Sequence, residues 1–175
     1  MHAARKGRLH HLHGGAVSVR PLTPTFTLLA AVLLLLACPA YAGDDWMPPV
    51  RDATVQKECG TCHMTFQPGF LPARSWSRMM GSLSDHFGED VTLMNDKIEI
   101  IRAYLTANAG DVVNQGRAAK YMHWVAPGGT PQRITENPDF LRKHRFPESV
   151  WKDPKVVTKS NCLACHSSAE RGVFK

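Results

Sequence analysis

Two pentapeptides, Cys59-Gly60-Thr61-Cys62-His63 and Cys162-Leu163-Ala164-Cys165-His166, hold four of the chain's five cysteines. Two thiols three positions apart on a helical turn lie on one side and reach the two vinyl groups of one porphyrin. The histidine that follows can then turn its imidazole towards the iron. The chemistry implied is covalent haem attachment, twice. Cys59, Cys62, Cys162 and Cys165 are the attachment points, and His63 and His166 are the proximal ligands.

Three other uses of such cysteines fit less well. Zinc knuckles pair Cys-x-x-Cys units at about 15–20 residues, whereas these lie about 100 apart, and zinc has no need of a histidine after both pairs. A thioredoxin-like redox pair wants a βαβ setting, and none is legible here. Structural disulfides suit an exported chain but leave His63 and His166 without a purpose.

A haem iron has a second axial position, so two haems call for two more ligands. Of nine histidines, His2, His10, His11 and His13 precede the body of the chain, which leaves His86, His123 and His144 beside the two proximal residues. His86 is best placed. Trp76, Met79, Leu83 and His86 recur at spacings of 3, 4 and 3, which predicts one face of a helix running from Pro72 to Phe87. A histidine on that apolar stripe is costly to bury unless it is bonded. His144 falls in a short predicted helix, Asp139 to Arg145, among basic residues. His123 sits in Tyr121-Met122-His123-Trp124 ahead of a Pro/Gly loop. Methionine is the other usual ligand. Met64 adjoins the proximal histidine and cannot readily cross the ring, and Met79 and Met80 suit packing at the porphyrin edge.

The elements that must hold these groups read as helical, with no strand-period alternation of any length. Asp52 stands near the start of a helix that ends in the first motif. A Pro/Gly loop, Gln67 to Pro72, leads to the His86 helix. Asn95 is a good N-cap for a third helix with Ile98, Ile101 and Leu105 on its apolar face and Gly110 as its stop. A fourth helix, Asp111 to Met122, is interrupted by Gly116. Ala126-Pro-Gly-Gly-Thr-Pro131 is the clearest break, and Gln132 to Pro138 reads as loop or short strand. Beyond it come the His144 helix and a helix opened by Asp153-Pro154 that carries the second motif. The fold class expected is mainly α: a cytochrome-c-like helical half, 43–125, and a shorter irregular haem-binding half, 126–175.

The first 42 residues stand apart. Arg5, Lys6, Arg8 and Arg20 precede an apolar run, Phe26 to Ala37, and Ala40-Tyr41-Ala42 offers small residues for cleavage, the order of a secretory signal. The run is about a dozen residues, too short to span a bilayer comfortably. Leu35-Leu36-Ala37-Cys38 also fits a lipoprotein signal, which would tether the product at Cys38. Removing residues 1–42 takes four of 21 basic residues and none of 15 acidic ones, so the formal charge falls from +6 to +2. Four haem propionates would carry it below zero, which leaves no electrostatic case for nucleic acid.

With ECGTCHM, LPARSW, SDHFGED, RITENPDFLRKHR and NCLACH on the page, the sequence resembles the bacterial dihaem cytochrome c family over roughly 55–170. A known member of that family partners a small monohaem oxygen-binding cytochrome. The resemblance implies two covalently bound haems of low potential, both bis-histidine ligated. It implies His86 and His144 as the distal ligands and leaves His123 without a family counterpart; sequence proximity pairs His86 with the first haem and His144 with the second, with a crossed pairing as the alternative. The expected function is electron transfer in the periplasm by a monomer. Its redox partner is a monohaem c-type cytochrome or a membrane quinol-linked donor, met through a small transient interface without a sticky apolar patch. The rival readings are a dihaem peroxidase or nitrogen-oxide reductase, and a haem-based sensor. Each needs an open or displaceable iron site.

Overall fold

Helix α1, Ala53–Cys59, starts where the Asp52 carboxylate accepts the Val55 N–H at 2.9 Å, an N-cap that satisfies one of the helix's open donors. Gly60 ends it, so the first motif begins on the last residue of a helix and turns away from it. The computed structural model describes residues 46–175, all of which belong to one compact unit; the expected secretory signal, 1–42, and Cys38 lie outside the described residues.

Helix α2 is shorter than the spacing of apolar residues predicts. It runs Ala73–Met80 and stops at Gly81, after which Leu83–Asp85 forms a single 3₁₀ turn. The cause is local competition for backbone groups. The Ser82 hydroxyl donates to the Arg78 and Met79 carbonyls, and the Asp85 carboxylate accepts the Gly88 N–H at 3.0 Å. His86 therefore sits on a tight turn, in an isolated bridge with Glu89, and not on a helix. Of the stripe's apolar residues Trp76 and Leu83 are buried and Met79 is half-buried, with the neighbouring Met80 buried in its place.

Helix α3, Asn95–Ala107, buries Ile101 and Leu105 as expected and packs on α1 and α2. Asn95 lies inside its first turn, with Met94 in the cap position, and Asn108 closes it. Gly110 opens the next helix instead of ending this one. The expected fourth helix is two: α4, Gly110–Val113, and α5, Gly116–His123, divided at the left-handed Asn114. In the C-terminal part α6 spans Pro138–Lys143 and α7 spans Glu148–Trp151, with a 3₁₀ turn at Ile134–Glu136 where loop or strand is predicted. Asn137 caps α6 by accepting the Asp139 N–H, and its amide donates to the Tyr121 carbonyl at 3.0 Å, fastening α6 to α5.

The helix expected from Asp153 to the second motif is absent. Asp153 accepts the Lys155 N–H, Asn161 donates to the Val156 carbonyl, and Val157 takes a φ of +64°. Side chains that satisfy turns in this way leave no run free for an α-helix, and Cys162–Ala164 is one 3₁₀ turn. Among the described residues there is no strand, only the bridges Trp46↔Val173 and His86↔Glu89.

Two apolar clusters hold these pieces. Val50, Val55, Leu71, Trp76, Met80, Leu83, Ile101 and Leu105 form the first, between α1, α2 and α3. Met47, Phe70, Ala118, Tyr121 and Phe140 form the second, between α5, α6 and the N-terminal strap. The Trp76 indole N–H donates to the Pro68 carbonyl at 2.8 Å, so the loop after the first motif is pinned to α2.

Candidate functional site

Between the clusters lies a cavity of about 1200 Å³, larger than the roughly 300–1,000 Å³ of an ordinary small-molecule pocket. All eight residues singled out by the motifs and the resemblance line it: Cys59, Cys62, His63 and His86, and Cys162, Cys165, His144 and His166. Its floor is apolar and aromatic, with Trp76, Leu83, Phe140 and Trp151 among the lining residues. His123 is brought nowhere near it. That residue ends α5, exposed, edge-on to Trp124 at 5.2 Å. Of the methionines, Met79 and Met80 line the cavity, while Met64 is buried outside it and Met94 is exposed.

The histidines fall into two facing pairs. The rings of His63 and His86 have centroids 6.3 Å apart, with planes inclined by 26°. Those of His144 and His166 are 6.1 Å apart at 77°. Two metal–imidazole bonds of about 2.0–2.1 Å, added to the half-width of each ring, give a centroid separation of roughly 6.3 Å. The two centroid separations lie close to that figure.

Three of the four rings are oriented by the backbone. Nδ1 of His63 donates to the Met64 carbonyl at 2.7 Å, Nδ1 of His144 to the Phe140 carbonyl at 2.9 Å, and Nδ1 of His166 to the Lys175 carbonyl at 3.2 Å. A carbonyl can only accept, so the proton sits on Nδ1 and Nε2 keeps its lone pair for a metal. His144 is also stacked on the Phe140 ring at 3.9 Å and 12°. Phe140 was not picked out from the sequence, although its i, i+4 relation to His144 is the signal that could have found it. Burial, reinforced by His63 and Arg133, holds His86 below the ordinary histidine range. Burial does the same for His144 despite the Phe140 carbonyl, with His166, Arg117 and Lys143 adding to it. Neutral imidazole is the ligand form.

The cysteines repeat one arrangement. The first of each pair is half-buried and the second exposed, and none is in a disulfide among the described residues. Burial pushes the Cys59 thiol up to about 11, with Glu58 adding to it, and the Cys162 thiol up to about 11 as well. Nor do the described residues bring three His, Cys, Asp or Glu side chains together in the manner of a zinc site.

Two further features were not foreseen. Arg117, in the cavity wall, pairs with the buried Asp139 at 3.4 Å, and Arg142 reaches the same carboxylate at 2.6 Å. Gln67, fully buried four residues after His63, donates from Nε2 to the Ala169 and Glu170 carbonyls at 2.7 and 3.2 Å. It thereby ties the first motif's loop to the turn that follows the second. Neither residue type carries a pattern that announces such a role.

The family model for dihaem cytochrome c matches residues 55–174. The chain belongs to the dihaem cytochrome c family. Among solved structures it is 41% identical to a dihaem cytochrome c from Rhodobacter sphaeroides, over 73% of this chain and 99% of that one, with a TM-score of 0.66. A second structure of the protein purified from that organism is 38% identical over 72% and 99%, with a TM-score of 0.55. A dihaem cytochrome from Shewanella baltica OS155 is 32% identical over 70% and 86%, with a TM-score of 0.56. No curated protein sequence matches. As a dihaem cytochrome c the protein carries two covalently bound haem c groups and acts as a haem-based electron carrier. The donor set fits the cofactor: two thiols and two imidazoles at each of two places in one apolar cavity, three of the four rings held by a backbone carbonyl.

Proposed function

We propose that this dihaem cytochrome moves single electrons in the periplasm through two bis-histidine sites, His63 with His86 and His166 with His144, and makes or breaks no substrate bond. The observation that carries this is the pair of imidazole separations, 6.3 and 6.1 Å, each the width of one six-coordinate iron. When bound, haem supplies reversible Fe(II)/Fe(III) chemistry. The protein's own contribution would be to offer each iron two imidazoles, His63 with His86 and His166 with His144, which would leave no position for a substrate, and to surround the groups with apolar side chains. The halves 43–125 and 126–175 each supply one complete set of two cysteines and two histidines, which makes the chain a relay. A partner docked at either half, a monohaem c-type cytochrome or a quinol-linked donor at the membrane, could deliver or collect an electron. The order of basic, apolar and small residues in 1–42, that of a secretory signal, supports the periplasmic setting, in which the chain acts as a monomer.

The test uses the difference between the two ring angles. Nearly parallel imidazole planes act on the same iron dπ orbital and split the pair, whereas nearly perpendicular planes act on one orbital each. The ferric protein is expected to contain two haems per chain by pyridine haemochrome. Its EPR spectrum should hold two distinct low-spin signals, the more rhombic from the 26° pair and the more axial from the 77° pair. His86→Ala should convert only the first to high spin and His144→Ala only the second. A variant whose signals both stay low-spin removes that histidine from the scheme.

A further inference from the structure

The charged residues around the cavity are sorted by sign. Next to the first motif the lining carries Glu58, Glu89 and Asp90; next to the second it carries Lys143 and Lys159. Glu89 is bound through its backbone to His86, and Asp90, whose carboxylate accepts from Thr92, is held below the usual carboxylate range by those hydrogen bonds. Of the described residues that line the cavity on that side, the cation is Arg133, which lies over the Phe87 ring at 4.1 Å and shares its charge with Glu136 at 3.6 Å, while Lys57 stands exposed beside Glu58. On the other side Lys159 places its ammonium over the Trp151 ring at 5.5 Å. Trp151 lies 6.4 Å from the His144 ring and 5.8 Å from Phe146, which is exposed and itself 6.0 Å from His144. Lys143 and Arg145 flank His144, both exposed. Acidic residues also lie in this region: Asp139 is buried under Arg117 and Arg142, Glu148 is paired with Lys152 at 3.0 Å, and the exposed Asp153, whose carboxylate accepts the Lys155 N–H at 2.8 Å, is flanked in sequence by Lys152 and Lys155.

We infer that the basic rim of Lys143, Arg145 and Lys159 around Phe146 and Trp151 is the docking surface for an acidic redox protein, which exchanges its electron at the second site and not at the first. This rests on the proposed electron-carrier function and adds to it the class of partner and the door it uses. An exposed aromatic inside a ring of cations is the composition of a brief encounter: the charges steer the partner and the small apolar centre lets it leave. The acidic rim of the first site repels the same partner, so the choice of door is made by sign. Since the charges are exposed, the attraction weakens as salt shortens the Debye length from about 10 Å at 0.1 M towards 3 Å at 1 M.

The experiment titrates the ferric two-haem protein with poly-L-glutamate, a plain acidic surface, and maps amide and indole ¹H–¹⁵N shifts at low and high salt. The largest shifts are expected at Lys143, Arg145, Phe146, Lys159 and the Trp151 indole. Glu58, Glu89 and Asp90 should stay still, the effect should vanish at high salt, and Lys143→Glu/Lys159→Glu should weaken binding at least tenfold. Shifts centred on the first site, spread evenly over the surface, or unchanged in strength in the double variant would overturn the assignment, as they would if these lysines spend their charge on propionates. The wild-type map decides the matter even if the double variant folds poorly. EPR of the same sample separates the two levels: loss of low-spin haem refutes the carrier function, whereas intact spectra with misplaced shifts refute only the docking surface.

Discussion

Replacing Gln67 with Leu keeps the side chain's volume and deletes two hydrogen bonds that cross the molecule. Its Nε2 donates at 2.7 Å to Ala169 and at 3.2 Å to Glu170, and Ala169 has no exposure to solvent. A buried carbonyl stripped of its donor costs about 1–3 kcal/mol. The longer bond adds less, and removing the buried Oε1, which has no partner of its own, returns part of the loss. The net expectation is about 2 kcal/mol. With a urea slope of about 1–3 kcal/mol per M, the unfolding midpoint should fall by roughly 1 M. The damage should also be local. Ala169–Arg171 is the turn between His166 and the C-terminus, whose Lys175 carbonyl holds His166 Nδ1. Urea titrations followed by EPR should therefore lose the signal of the second site before that of the first, whereas the wild type loses both together. An unchanged midpoint, or earlier loss at the first site although Gln67 lies only four residues from His63, would refute the view that this side chain couples the C-terminal turn to the body.

Three other outcomes follow from the same contacts. Gly172 has a φ of +76°, and a methyl there would overlap the Met47 carbonyl beside the 2.8 Å bond from Met47 N–H, so Gly172→Ala should cost more than the 1–2 kcal/mol of a left-handed residue and lower the melting temperature in calorimetry. Asp139→Leu leaves the buried Arg117 facing an apolar side chain and should destabilise by about 3–5 kcal/mol in denaturant titrations, whereas Arg142→Ala, at the exposed end of the same network, should cost far less. Burial raises the Tyr121 phenol above its ordinary value, with Asp139 and Cys162 adding to it and Arg117 opposing. A group whose folded value is raised favours folding below its unfolded value near 10 and loses that contribution as pH rises. Stability should thus fall above about pH 10 in the wild type and less steeply in Tyr121→Phe, as followed by circular dichroism.

The covalent chemistry and the helical class were legible from the amino-acid types alone, because thioether attachment needs two thiols and a histidine at a fixed local spacing, a constraint that no distant part of the chain can alter. The apolar face of α3 was readable for the same reason, since a 3.6-residue period is a local property. Where side chains compete with the backbone the local reading failed. Ser82 and Asp85 ended α2 at Met80, seven residues before the predicted Phe87, and Asp153 and Asn161 replaced a helix with turns. Yet His86 still lines the cavity from the turn. Only the tertiary structure could bring the His63 and His86 rings to 6.3 Å and the His166 and His144 rings to 6.1 Å, set the first pair nearly parallel and the second nearly perpendicular, and send His123 to the surface. Those outcomes depend on how α5, α6 and the C-terminal turn pack, through contacts such as Gln67 to Ala169 that join residues 102 positions apart. Sequence spacing carries no record of such distances, so the chemistry was written locally and its geometry was decided by packing.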